Sequence, residues 1–248
     1  MPDNTLSDNH KELLQIAIDG PAGAGKSTVA RKLADLLGYL YIDTGAMYRA
    51  ATWLALKHNL ELTDGKAIAR LAAQTEILLK PADETSDGKI RVFVGGEEVT
   101  REIRTQKMSE QVIPVAAQGE VREVLVRKQQ ELANLGSAVL DGRDIGTVVL
   151  PDARLKVFLT ASAEVRARRR LKELVQQGEE PVFDELLAAI KDRDHKDRTR
   201  EVSPLAMASD AIEVNTDGLS IEEVVEVLLK LTRDTLSGKR NEKSAAHS

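Results

Sequence analysis

The residues Asp19-Gly20-Pro21-Ala22-Gly23-Ala24-Gly25-Lys26-Ser27-Thr28 put several glycines, one cation and two hydroxyls into one short stretch. From Gly20 to Ser27 they fit the pattern G-x-x-x-x-G-K-S. Glycines let backbone N–H groups close around phosphate oxygens without side-chain clashes. A helix starting at the end of such a loop adds its partial positive charge. Lys26 can then reach the β- and γ-phosphates of a nucleotide, and the Ser27 hydroxyl can ligate Mg²⁺. Gly20, Pro21, Ala22, Gly23, Ala24, Gly25, Lys26, Ser27 and Thr28 are therefore read as a triphosphate-binding loop. Such a loop does not separate a kinase from a GTPase, a motor or a ligase.

Four further segments could build an acceptor site opposite that loop. Asp43-Thr44-Gly45-Ala46-Met47-Tyr48-Arg49 follows an apolar run and puts Arg49 one helical turn from its start. The same spacing also fits an N-capped helix with a surface arginine. Leu140-Asp141-Gly142-Arg143-Asp144-Ile145-Gly146-Thr147 ends another apolar run with two acids and an arginine, more charge than a turn needs. In the third, Phe183, Leu186, Leu187 and Ile190 form a helical stripe that continues onto Arg193, Asp197 and Arg200. Charges aimed inward need partners, and a polyanion is one. Lys196 and Arg198 fall toward the outer face. The fourth, Arg166-Ala167-Arg168-Arg169-Arg170, reads equally as a lid over a triphosphate or as a salt-bridged surface helix beside Glu164 and Glu173.

The elements that must hold these segments alternate. Strands are expected at Leu14–Ile18, Tyr39–Ile42, Ser137–Asp141, Lys156–Thr160 and Ile212–Val214. Helices are expected after Ser27 to a Gly38 cap, from Asp43 to Lys57, from a Thr63 N-cap to Ala73, and over Gln118–Leu135. Others follow from Ser162 to a break at Gly178, over Phe183–Thr199 and over Ser220–Leu236. Short strand-like pieces at Ile77–Lys80, Ile90–Val94 and Glu97–Val99, with turn signals at Asp87-Gly88 and Gly95-Gly96, form a β-rich insert. The alternation predicts a parallel sheet covered on both faces by helices. Residues 1–13 read as a disordered lead, too polar for a signal peptide, and 237–248 as a disordered tail.

Composition narrows the partners. The 248 residues carry a net charge of −5, aromatics make up 3%, and there is no basic tail. A nucleic-acid or membrane-surface partner is not expected. No apolar run approaches a membrane span. Cysteine is absent and the four histidines are scattered, so no metal is expected beyond Mg²⁺ arriving with a nucleotide. A cytoplasmic monomer is the expectation.

Together the Ile18-Asp19-Gly20-Pro21-Ala22-Gly23-Ala24-Gly25-Lys26-Ser27 run, Asp43-Thr44-Gly45-Ala46-Met47-Tyr48-Arg49, Glu102-Ile103-Arg104-Thr105, Leu140 to Val149, and Arg193-Asp194-x-x-Asp197-Arg198-x-Arg200 resemble the bacterial cytidylate kinases, in that family's order and over Leu14 to about Leu236. The resemblance implies an α/β P-loop kinase fold with a monophosphate-binding region over about 44–120 and a helical lid over about 162–182. It implies transfer of the γ-phosphoryl of ATP to CMP or dCMP. Arg49, Arg143 and Arg193 would hold the acceptor phosphate, with Lys26, Arg143 and Arg193 catalytic. Thr44 would line the CMP site, Arg122 and Asp144 would read cytosine, and Asp197 with Arg200 would hold the sugar. Arg169 would lie near ATP. Some members have Gly at the Ser27 position and Ser at the Thr44 position. Some place a base-contacting serine nine residues before the arginine matching Arg122, where this chain has Ile113. The rival readings are a kinase for another small acceptor, such as AMP or shikimate, and a regulatory P-loop NTPase. The base-reading pair argues against the first, and the low aromatic content, the acidic balance and the second arginine cluster argue against the second.

Overall fold

The structure, a computed structural model, describes residues 13–238 apart from 85, 87 and 177. The expected lead up to residue 12, the tail from 239 and Asp87 of the Asp87-Gly88 turn lie outside the described residues.

Five parallel strands form the central sheet: β1 (Gln15–Asp19), β2 (Leu40–Asp43), β6 (Ala138–Gly142), β7 (Leu155–Thr160) and β8 (Ile212–Asn215), in the order β2-β6-β1-β7-β8. The central strands are short apolar runs because helices cover both of their faces. Side chains alternate between those faces. Ile16 and Ile18 of β1 and Val139 of β6 join one core cluster, whereas Ala17, Ala138 and Leu140 join the other. The first cluster is completed by helices α1 (Lys26–Leu37) and α8 (Ile221–Leu236). The second is completed by α2 (Thr44–Lys57), α3 (Gly65–Gln74), α4 (Gln106–Ala117) and α5 (Gly119–Ala133). Each fully buried Ile or Leu here contributes about 1.5–3 kcal/mol.

A small antiparallel sheet of β3 (Ile77–Lys80), β4 (Arg91–Val94) and β5 (Glu97–Glu98) forms the insert. Its turn residues Gly95 and Gly96 have φ of 57° and 85°. Val92 and Val94 pack into the second cluster, so the insert shares the main core. Helices α6 (Ala163–Gln176) and α7 (Phe183–Thr199) pack on each other, with Arg166 of α6 against the P-loop.

Two details depart from the sequence reading. The cap of α3 is Asp64, whose carboxylate accepts from Ala67 N–H at 3.0 Å, so Thr63 lies one position too early. Helix α4 was not expected at all. It contains Pro114, a residue that removes a helical hydrogen bond and hides the pattern. Its start is nevertheless capped by Thr105, which accepts from Met108 N–H at 3.1 Å.

Register places Asp19 opposite Gly142, and Asp43 opposite Asp141. The carboxyl ends of β1, β2 and β6 therefore meet at one edge, where ligands bind in open parallel sheets. Gly20 turns the chain there with φ of 147°, and a Cβ would sit 2.1 Å from the Leu159 carbonyl oxygen. Gly20→Ala is expected to cost about 3 kcal/mol through backbone strain and the push on β7. Urea unfolding checks this, and a loss under about 1 kcal/mol would mean that β7 yields freely.

Candidate active site

The P-loop joins β1 to α1. Gly23 and Gly25 hold φ of 78° and 90°, values that favour glycine. The α1 N-cap is Gly25, with no side chain to cap it, so the first N–H groups of α1 are left for an anion. A groove of about 500 Å³ runs along this loop, walled by Arg169, Thr216, Leu219 and Val224. Arg169 donates to the Thr216 hydroxyl at 3.2 Å and to its carbonyl at 2.8 Å. The arginine is thereby fixed at the groove.

On the other side of Lys26 and Ser27 lies a second cavity of about 220 Å³. Thr44 and Arg49 reach it from α2, Arg122 from α5, Arg143 and Asp144 from the turn after β6, and Arg193 and Asp197 from α7; Arg200 follows α7. Every acceptor-site residue expected from sequence lines this one cavity. Ile113 lines it too, beside Val112 and Ala116, so the α4 wall is apolar.

Several of these charges are held in place by a partner. Asp43 caps α2 through Ala46 N–H at 2.7 Å and pairs with Arg49 at 3.4 Å. Arg143 Nε donates to Asp197 at 2.8 Å. Burial alone would raise the Asp197 pKa, but the Arg143 charge and hydrogen bond outweigh it and keep the group below its usual value. Arg122 and Asp144 form a buried ion pair, and Arg122 also lies over the Tyr48 ring at 5.1 Å. Arg200 Nη2 stands 3.8 Å from the other Asp144 oxygen, within ion-pair range but too far for a hydrogen bond.

The cations crowd one another. Burial, and then the Arg143 charge, push Arg193 down to about 10. The same two causes hold Lys26 well below the usual lysine value, although it donates to the Pro21 carbonyl at 2.7 Å. Tyr48 Oη, Arg49 Nε, Arg122 Nε, Arg193 Nε and Arg200 Nη2 are buried without a hydrogen-bond partner among the described residues. All five belong to residues lining the 220 Å³ cavity. Such groups are costly unless something else satisfies them.

Several contributors escaped the sequence reading. Asp141 was noted there as one of two acids without a task. Its carboxylate accepts from Ser27 Oγ at 2.8 Å and from Tyr41 Oη at 2.8 Å, while its carbonyl accepts from Thr44 Oγ1 at 2.7 Å. Burial, and then neighbouring Asp43, raise its pKa. Ser27 and Asp141 offer oxygen donors of the kind a hard divalent cation takes in P-loop enzymes. No cluster of three or more His, Cys, Asp or Glu occurs among the described residues, so the rest of its shell would be water and phosphate. Asp19 was also missed, and so was Asp194, which receives both terminal nitrogens of Arg166 at 2.9 and 2.5 Å. Arg166 also donates to the Ala22 and Ala161 carbonyls. It thus braces the P-loop against α6 and α7. The signal for Asp19 and Asp141 was available: each is an acid near the end of an otherwise apolar strand.

Among the described residues no helix is long and apolar enough to cross a membrane. A family model described as cytidylate kinase matches residues 16–234. The chain is 52% identical over 218 residues to the cytidylate kinase of Carboxydothermus hydrogenoformans, covering 88% of this chain and 96% of that one. It is 53% identical over 224 residues to the cytidylate kinase of Desulfitobacterium hafniense, covering 90% and 94%. The bifunctional pantoate ligase/cytidylate kinase of Trichormus variabilis is 48% identical over 236 residues, 95% of this chain but 44% of that longer protein. The chain thus spans less than half the length of that bifunctional relative. With a P-loop groove and an arginine-lined cavity meeting at Lys26, and a match that runs almost end to end, the chain belongs to the cytidylate kinase family.

Proposed function

We propose that the chain transfers the γ-phosphoryl group of ATP to the phosphate of CMP or dCMP, giving ADP and CDP or dCDP. The observation that carries this reading is the set of five unsatisfied buried donors around one cavity, beside a P-loop that shares Lys26 and Ser27 with it. A nucleoside monophosphate supplies anionic oxygens for the arginines and a polar base for the deeper pair.

ATP lies along Gly20–Thr28, with Arg169 at its groove. The acceptor phosphate sits among Arg49, Arg143 and Arg193, the sugar near Asp197 and Arg200, and the base against Arg122 and Asp144, with Thr44 in the cavity wall. The acceptor oxygen is already a nucleophile, so no general base is needed. The barrier comes from bringing two polyanions together and from charge spread over the moving group. Lys26, Arg143 and Arg193 lower it by placing fixed positive charge where that negative charge develops. Ser27 and Asp141 would hold Mg²⁺ together with the nucleotide phosphates, and the ion would add further neutralisation. Residues of about 162–182 close over the nucleotide and keep out water, which would otherwise accept the phosphoryl group.

Lys26→Ala should lower kcat about a hundredfold or more while leaving the urea midpoint near wild type. A well-folded variant with near-normal kcat would reject the P-loop assignment.

Base choice rests on Asp144. Cytosine offers an amino group at N4, which a carboxylate accepts from, whereas uracil offers a carbonyl. In Asp144→Asn the amide oxygen stays with Arg122, which can only donate, and the NH₂ faces the base. That donor opposes the cytosine amino group and suits the uracil carbonyl. The CMP/UMP ratio of kcat/KM should therefore fall by roughly 2–4 kcal/mol in transition-state terms. Steady-state rates on CMP, dCMP, UMP and AMP at fixed Mg·ATP provide the test. Equal loss on CMP and UMP would mean that Asp144 does not read the base.

A further inference from the structure

The turn after β6 runs Ile145–Val149 as a short π-helix, with Asp144 at its N-cap position. Elsewhere the N-cap residues Asp43, Asp64, Thr105 and Ser220 each accept from the backbone N–H three residues on. Asp144 makes no such bond. Its carboxylate is committed instead to Arg122, with Arg200 nearby. An aspartate at this position ordinarily turns back onto its own helix, because the first N–H groups have no partner within it.

Those N–H groups are taken by a residue more than a hundred positions away. Asp19, the last residue of β1 and the one before the P-loop, accepts from Ile145 N–H at 2.8 Å and from Gly146 N–H at 2.7 Å, one through each carboxylate oxygen. Asp19 is buried, and register sets it beside Gly142. The approach is close: a Cβ on Gly146 would lie 3.4 Å from the Asp19 oxygen and 3.1 Å from the Lys156 side chain. Lys26 donates to Pro21, not to Asp19, so both Asp19 oxygens serve the turn.

We propose that Asp19 caps this turn in place of Asp144 and so holds the Asp144 carboxylate in the acceptor cavity, making Asp19 a positioning residue for base selection. The proposal rests on the base-reading role given to Asp144 above. Without Asp19, Gly146 N–H loses its acceptor, and the carboxylate at the N-cap position, where such N–H groups are ordinarily met, is that of Asp144.

Asp19→Asn is close in shape, but it accepts at one oxygen only and sets an NH₂ against the other amide. It should lower the CMP/UMP ratio of kcat/KM tenfold or more and leave KM for ATP within about twofold. The double variant with Asp144→Asn should have the ratio of Asp144→Asn alone, because both changes remove the same contact. A loss equal for CMP and UMP, or full additivity in the double variant, would overturn the proposal. A crystal structure of Asp19→Asn gives a readout independent of base reading. Asp144 should be found turned off Arg122 onto the Gly146 and Thr147 N–H groups, and Asp144 still paired with Arg122 would overturn the proposal. If Asp144→Asn itself leaves the ratio unchanged, the base-reading assignment fails, and the position of Asp144 in that crystal still decides what Asp19 does. Asp19→Ser, which can accept from one amide without opposing the other, serves for both measurements if Asp19→Asn does not fold.

Discussion

The buried carboxylate of Asp141 is the contact on which the rest of the site depends. It lies near the end of β6 and is reached by Ser27 from the P-loop helix, Tyr41 from β2 and, at its carbonyl, Thr44 from α2. These three elements carry the triphosphate loop and the acceptor wall. A carboxylate taken out of water needs such donors, and burial already pushes this one toward its neutral form. Few of its hydrogen bonds could therefore be lost cheaply. That rigidity gives both halves of the site a common reference point.

Around it the charge is unbalanced by design of the fold. The acceptor cavity is lined by six cationic side chains, Lys26, Arg49, Arg122, Arg143, Arg193 and Arg200, against the four carboxylates Asp43, Asp141, Asp144 and Asp197. The whole chain carries −5, so this positive region is local and opposes the protein's overall charge. The strain is visible in Lys26 and Arg193, both held below their usual pKa by burial and by Arg143. A dianionic ligand relieves that repulsion and satisfies the unpaired donors at once. Under the proposed function, selectivity and affinity would draw on different groups. The outer arginines would answer to phosphate charge, while the Arg122–Asp144 pair would answer to hydrogen-bond pattern.

What could be read from sequence was what is encoded locally. The P-loop spans a few consecutive residues, and the stripe from Phe183 to Ile190 continues onto Arg193 and Asp197, on the half-buried side of α7, and onto the half-buried Arg200 just past its end. Lys196 and Arg198 are exposed, as their phase required. What could not be read was non-local. Arg166 sits in an arginine run that suggested either a lid or a surface helix. It is instead buried, and its partner Asp194 is 28 residues away. Asp19 and Asp141 act through residues about 100 positions distant, so only the strand register reveals their partners. The missed helix α4 failed for a local reason, since Pro114 contradicts helix propensity and tertiary packing overrides it.

Helix α7 shows how the same charges serve both structure and ligand. None of its residues is buried, so apolar burial alone does not seat it. Its firm attachments are the Asp194–Arg166 pair on one side and the Asp197–Arg143 pair on the other. The first fixes the helix to α6 and the P-loop carbonyl of Ala22. The second fixes it to the turn that also carries Asp144. An element held by ion pairs at a cavity rim moves more readily than one held by a packed core. A ligand phosphate lying between Arg143 and Arg193 would join the same network and tighten it. Under the proposed function, closing of the site and binding of the acceptor would be linked through Arg143, which pairs with Asp197 of α7 and would also meet the phosphate.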